Sequence, residues 1–537
     1  MRRTLNVWFV AALVGFAGNG SAAFAAPEKS EALDLAAQAE LREKQGDWDR
    51  AYELYSAACK LLPNRSDLKD RQVNCLRHCW QQRRHRDLSY RKEVLSLDYG
   101  QSMRLFGMIR DALLDRTVDK KRLDSTKLFR KGLEELDAFV SDPTVLSQYI
   151  PLERMTRVEE YRSVLRKLNR EVQGLDRHQL QHKAKEAAMA AKQILSLPPT
   201  VAMTEQAAGL CHALDEYTQY LSPAAFRELN DSLKGETVSV GLTVAPAGVK
   251  SLIVDIAPLS PASEIAPPIE PNDQLVSIDR KPVEGLSPDV VHDLLAGGAG
   301  STVEIEILSP RLGMRTVTLR RRAVVMASVY AEIKPGNIGY LQIVCFQETT
   351  AQEVDETLSA FNKAEVKSVI LDLRGNPGGV FDSAIETARR FLSTGVIVST
   401  EHQDPRFNTV HQARNASAFT APMIVLIDQD TASAAEVLAG ALKENDRARI
   451  FGQPSFGKGC TQVLLKLPAS QGVPTGGLRI TIARFFSPKG MPYTGRGVLP
   501  DVTIERPRGM DMTDAPLSEA LNELQRSAMV MGVGMMR

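Results

Sequence analysis

At about Glu236 the hydrophobic spacing of this 537-residue chain changes. Residues 30–200 place apolar side chains three and four positions apart, with Gly and Pro sparse, which is the period of amphipathic helices. Beyond Glu236, "TVSVGLTVAP", "SLIVDIAP", "DQLVSIDRKPV" and "STVEIEILSP" are short alternating or β-branched runs broken by turn residues. From about Asn337, strand-like runs such as "KSVILDL" and "PMIVLID" alternate with helical ones such as "FDSAIETARRFL" and "ASAAEVLAGALKEN". That alternation predicts an α/β layer with parallel pairings. The expected fold class is therefore multidomain α+β. A length of this size suggests about three domains at roughly 100–200 residues each.

The expected divisions are a signal segment 1–25, a helical region 26–200, a helical lead-in 201–235, a β module 236–323, an α/β domain 324–507 and a C-terminal tail 508–537. Arg2 and Arg3 precede the uncharged apolar stretch Val7–Ala17, and small residues at Ala23–Ala25 offer a cleavage site, so export is expected. The apolar run is short for a membrane span, and none is expected after cleavage. Gly46–Ala51, Tyr55, Ala58 and Pro63 fit the second half of a tetratricopeptide repeat. A further helix pair over Leu68–Leu97 reads either as a degenerate second repeat or as an ordinary hairpin. Residues 152–196, rich in Lys, Arg, Glu and Ala, read as one long solvated helix broken at Pro198 and Pro199.

The formal charge is +1, and loss of the two arginines leaves 64 bases facing 65 acids. No basic excess points to a nucleic-acid partner. Six cysteines scattered over the chain make no disulfide framework, and "CLRHC" lacks the spacing of a haem or zinc site. No metal and no cofactor are expected.

Three stretches carry the chemistry. In "DLRGNPGGVFDSAI" a strand ends in a glycine-rich turn and a helix follows, so backbone N–H groups could face an anion or a developing oxyanion. In "IDQDTASAAEVLAG" Ser433 opens a helix after a buried strand. Ser433 and Glu436 match the S-x-x-E capping box, and the other reading is a nucleophile at the positive end of the helix. "FGQPSFGKGCTQ" nearly spells a phosphate-binding loop, but Gly459 stands where Ser or Thr is needed. A mostly apolar strand follows rather than a helix. Lys458 is then the base left for Ser433, 25 residues earlier, provided that burial or a nearby cation lowers its pKa. Gln462 could hydrogen-bond and orient the lysine nitrogen.

With these residues the sequence resembles the C-terminal processing peptidases, or tail-specific proteases. "LDEYTQYLSP", "VILDLRGNPGG", "SAAEVLAGALKENDRA", "FGKGCTQ" and "GRGVLPDV" fall in that family's order between about Gln206 and Val502. The resemblance implies a crotonase- or ClpP-like serine peptidase core with a Ser–Lys dyad. In it Ser433 is the nucleophile, Lys458 the base and Gln462 the residue assisting it. Gly378, Gly379 and Ala434 would supply oxyanion N–H groups. The β module would be a PDZ domain binding a substrate tail through Val240, Gly241 and Leu242, although Asn272 stands where a glycine is common. The implied substrates are proteins or peptides with free C-termini, cleaved in the periplasm or outside the cell. A protein partner is expected through the amino-terminal helices. Two rival readings are a non-catalytic scaffold built on the helical repeats and PDZ module, and a crotonase-like enzyme.

Overall fold

A computed structural model of the protein describes residues 26–62, 65–118, 123–247, 249–286, 288–504 and 514–534. The expected signal segment and Pro63 lie outside them.

The first half is helical, as its spacing predicts: α1 (Ala26–Lys44), α2 (Trp48–Leu61), α3 (Ser66–Arg86), α4 (Tyr99–Arg116), α5 (Ser125–Ser141), α6 (Val158–Glu171), α7 (Arg177–Leu195), α8 (Pro199–Leu210) and α9 (Pro223–Leu233). Acidic N-caps start several of them. Asp98 and Asp176 each close a capping box with a glutamine three residues on. Two expectations are corrected. Residues 66–97 form one 21-residue helix and a five-residue π-turn, Tyr90–Val94, rather than a helix pair. Residues 152–196 form a short 3₁₀ turn and two helices, α6 and α7, not one solvated rod. Leu165 and Leu168 on α6, with Leu180, Ala184 and Ala188 on α7, are buried, because those apolar residues share one face of each helix. Their core continues into Leu467, Leu478 and Ile480, so the helical half is built onto a sheet.

That sheet is antiparallel and joins β1 (Gln219–Leu221), β10 (Thr394–His402), β11 (Thr409–Arg414), β14 (Cys460–Lys466) and β15 (Gly477–Phe486) around β15. A second sheet runs β7 (Val329–Lys334), β8 (Ile338–Ile343), β9 (Ser368–Asp372), β12 (Met423–Ile427), β13 (Arg449–Gly452), β16 (Val502–Thr503). Only its β7–β8 pair is antiparallel. β9 and β12 are buried along their whole length. Such continuous apolar strands need cover on both faces. α11 (Thr350–Lys363), α12 (Phe381–Phe391) and α13 (Ala434–Glu444) cover one face. On the other, Ile338, Ile370, Ile424, Leu426 and Phe451 meet Ala520 and Leu524 of α14 (Ala515–Gly534). The segment expected as a tail thus carries a helix that completes the core.

Between the helical lead-in and this layer lies the β module. Its main path is β2 (Leu242–Ala247), β3 (Lys250–Ile256), β4 (Gln274–Ile278), β5 (Thr302–Ser309), β6 (Gly313–Arg320), all antiparallel. α10 (Pro288–Leu295) packs beside β2, the edge strand. Val291 and Leu295 of α10 join Val240, Leu242, Ile253 and Ile305 in the module's own core.

Candidate active site

Ser433 sits at the junction of β12 and α13 with φ 56 and ψ −116, a backbone conformation that L-residues rarely adopt. Such strain persists only where surrounding bonds over-determine it. Asp428 supplies part of them. Its Oδ1 accepts the backbone N–H groups of Asp430 at 3.0 Å, Thr431 at 3.1 Å and Gly375 at 3.0 Å. The carboxylate therefore ties the serine loop to the glycine-rich turn. Asn376 adds a second tie, its carbonyl oxygen accepting the Ala432 N–H at 2.9 Å.

The glycine turn comes right up to the serine. A Cβ on Gly378 would lie 2.8 Å from Ser433 Cβ, and one on Gly379 would lie 2.0 Å from the Phe346 carbonyl oxygen. Gly378 donates its N–H to Asn376 Oδ1 at 2.8 Å. The N–H groups of Gly379 and Ala434, by contrast, have no hydrogen-bond partner among the described residues. Ala434 follows Ser433 directly, and a Cβ on Gly378 would lie 2.9 Å from the Ala434 nitrogen.

Lys458 lies on the loop that enters β14. Glu436, buried in the first turn of α13, joins that loop to the serine. One carboxylate oxygen accepts the backbone N–H of Ser433 at 2.7 Å and that of Lys458 at 2.9 Å. The other accepts the Ser455 hydroxyl and the Gly457 N–H, each at 2.6 Å. Burial pushes the Glu436 carboxyl up to about 7, against four donors that favour its ionised form. The S-x-x-E pattern pointed to the bond back to the Ser433 N–H. Its reach to Lys458 was not readable, because nothing in the spacing says which distant loop meets α13.

Burial lowers the pKa of Lys458, and the Arg479 guanidinium adds to that, while Cys460, Asp215 and Glu436 oppose it. The ammonium stands 4.8 Å from the centre of the Tyr217 ring. Among the described residues no hydrogen bond joins it to the Ser433 hydroxyl or to Gln462. The Gln462 amide donates instead to Cys460 O at 3.3 Å, Cys460 Sγ at 3.2 Å and Thr481 Oγ1 at 3.2 Å. A break in the β14–β15 register between Thr461 and Gln462 sets this orientation. The structure thus brings Ser433, Gly378, Gly379 and Ala434 together, ties Lys458 to them by its backbone, and turns Gln462 toward Thr481. Val240 and Leu242 are buried in the β module, with Gly241 between them at φ 81.

The profile of peptidase family S41 matches residues 337–504. A carboxyl-terminal-processing protease of Picosynechococcus sp. is 32% identical over 319 residues, covering 58% of this chain and 76% of that protein. The chain belongs to the carboxyl-terminal processing proteases of family S41. The carboxy-terminal processing protease CtpA of Bacillus subtilis is 30% identical over 300 residues, 56% of this chain and 63% of that protein. Among solved structures, the photosystem II D1 C-terminal processing protease is 26% identical, covers 71% of this chain and 94% of its own, and superposes with a TM-score of 0.36. The S41 match contains every candidate residue of the serine, lysine and glycine loops. Tyr217, whose ring faces Lys458, lies before it. The lead-in "LDEYTQYLSP" was the only sequence signal for that residue.

Proposed function

We propose that this processing protease is an exported serine endopeptidase that cleaves protein substrates near their C-termini in the periplasm or outside the cell. Ser433 attacks the scissile carbonyl carbon and its proton passes to neutral Lys458. The oxyanion rests against the Gly379 and Ala434 N–H groups, with Gly378 shaping the wall. The C–N bond then breaks, the amine leaves with a proton, and water releases the acyl group from Ser433. Gln462 assists the lysine once its neutral amine leaves the Tyr217 ring. The β module acts as a PDZ-like domain that takes the substrate tail beside β2, with Gly241 giving its terminus close access to backbone N–H groups. The α1–α2 pair serves as a TPR-like surface for a protein partner. No metal or cofactor enters this chemistry.

The observation that carries this reading is the Glu436 carboxylate, which fastens the strained Ser433 and the Lys458 loop to one point. The test is cleavage of an unfolded protein by Ser433→Ala and Lys458→Arg variants. Both are expected to be inactive and folded. Arginine keeps the charge but does not give up a proton in the working range, so it cannot act as the base. Substantial cleavage by the arginine variant would sink the dyad.

A further inference from the structure

The amino-terminal helices reach the lysine. Leu76 and Trp80 of α3 bury Tyr217, with Tyr52 of α2 and Cys460 packed against the same cluster. At the end of α2, Lys60 Nζ meets Asp430 Oδ1 at 2.6 Å, three residues before Ser433. The α2–α3 hairpin therefore touches both loops of the site and backs the ring over which Lys458 lies. We infer that Tyr217 is a positioning residue for Lys458, which its ring, braced by Trp80 and Leu76, holds as the ammonium and releases as the neutral amine. This rests on the reading of Lys458 as the base.

The physical basis is the ring quadrupole. An ammonium over an aromatic face is attracted to it, and an amine without charge is not. The group that must lose a proton before it can serve Ser433 is thus held to the ring only while it carries that proton. The contact works alongside the other charges around Lys458. Cys460 follows it at the start of β14, Arg479 faces it from β15, Asp215 and Glu216 from the lead-in, and Glu436 from α13. Lys69 of α3 lies behind Glu216. The Tyr217 phenol is itself pushed far above its ordinary range by burial, so the ring stays neutral while Lys458 titrates.

The decisive measurement reads Lys458 directly. In the full-length mature chain carrying lysine labelled with ¹³C at Cε, the Lys458 resonance is the one lost in Lys458→Arg. Tyr217→Leu, which keeps the site apolar but removes the ring, is expected to lower the Lys458 midpoint by roughly half to one pH unit. The acidic limb of kcat/KM moves with it. Tyr217→Phe, which keeps the ring, leaves the midpoint in place. Trp80→Leu removes the brace without touching Lys458 and moves the midpoint in the same direction by less, which covers the case of a leucine variant that fails to fold. A midpoint unmoved by Tyr217→Leu, or moved as far by Tyr217→Phe, overturns the inference. Cleavage by Lys458→Arg would instead remove the dyad and leave the titration result standing.

Discussion

The carboxylate of Glu436 accepts the backbone N–H of Lys458 at 2.9 Å, so the serine helix and the lysine loop are held by one side chain. An amide in its place offers one acceptor oxygen and turns an NH₂ toward backbone N–H donors. Glu436→Gln should lower kcat by about 100-fold, the scale expected for a misplacement of about 1 Å, with KM little changed. Steady-state kinetics on a peptide substrate decide it. A variant with unchanged kcat would show that the fastening is not needed for turnover.

Gly378 and Gly375 make a matched pair. Both have left-handed φ, 97 and 69. A Cβ on Gly378 would meet Ser433 Cβ at 2.8 Å and Ala434 N at 2.9 Å, whereas one on Gly375 meets nothing within 4 Å. Each alanine carries a backbone strain of about 1–3 kcal/mol. Only Gly378→Ala should also displace the serine. Its activity should vanish, while Gly375→Ala keeps most of its activity despite a drop in melting temperature from the strain alone. Equal activity losses would mean that strain, not the contact with Ser433, decides.

Much of the order of strands and helices was legible because most elements keep one hydrophobic period. The loops that carry Ser433 and Lys458 stood out because they lie in long local motifs. The long-range partnerships were not. "LDEYTQYLSP" says nothing of the lysine that Tyr217 faces, some 240 residues later in the chain. Gln462 sits four residues after Lys458, a spacing that suggests contact, but the register break turns its amide to Thr481. The charged run over 152–196 hid two amphipathic faces, because long Lys and Arg side chains on the outer face dominate its composition.

A buried ionic cluster joins α3 to α5 and α8. Arg84 donates to Glu205 at 2.6 Å and to Glu135 at 2.8 Å. Burial alone would raise the Glu135 carboxyl, but His212 and Arg84 outweigh it and hold it at about 2. Arg84 and His85 likewise outweigh burial at Glu205 and pull it down. Both groups are more acidic folded than unfolded. Their stabilisation is therefore present above the ordinary carboxylate range and lost as pH falls from about 4.5 toward 2. Denaturant midpoints should drop steeply across that window. Glu205→Gln should cost about 3–5 kcal/mol at neutral pH, because it leaves Arg84 short of a buried counter-charge, and should flatten the acid slope. An unchanged slope would place the acid sensitivity elsewhere.

The edge of the β module offers a test of tail reading. Among the described residues β2 has a strand partner on one side only, and on the other the Val244 N–H donates to His292 Nε2 of α10 at 3.3 Å. A substrate tail added as a strand beside β2 needs such N–H donors. The imidazole then competes with the tail for the Val244 donor. His292→Leu removes the competing acceptor and keeps an apolar side chain on the helix. Binding of a peptide with a free C-terminus should tighten by about 2- to 10-fold, the equivalent of one hydrogen bond of about 0.5–1.5 kcal/mol. The same peptide amidated at its C-terminus should bind weakly to both proteins, since it lacks the carboxylate that the Gly241 turn would hold. Titration calorimetry with the Ser433→Ala background keeps the peptide intact during the measurement. Tightening for acid and amide alike would show that the groove takes strands without reading their ends. No change for either would show that tails do not enter beside β2.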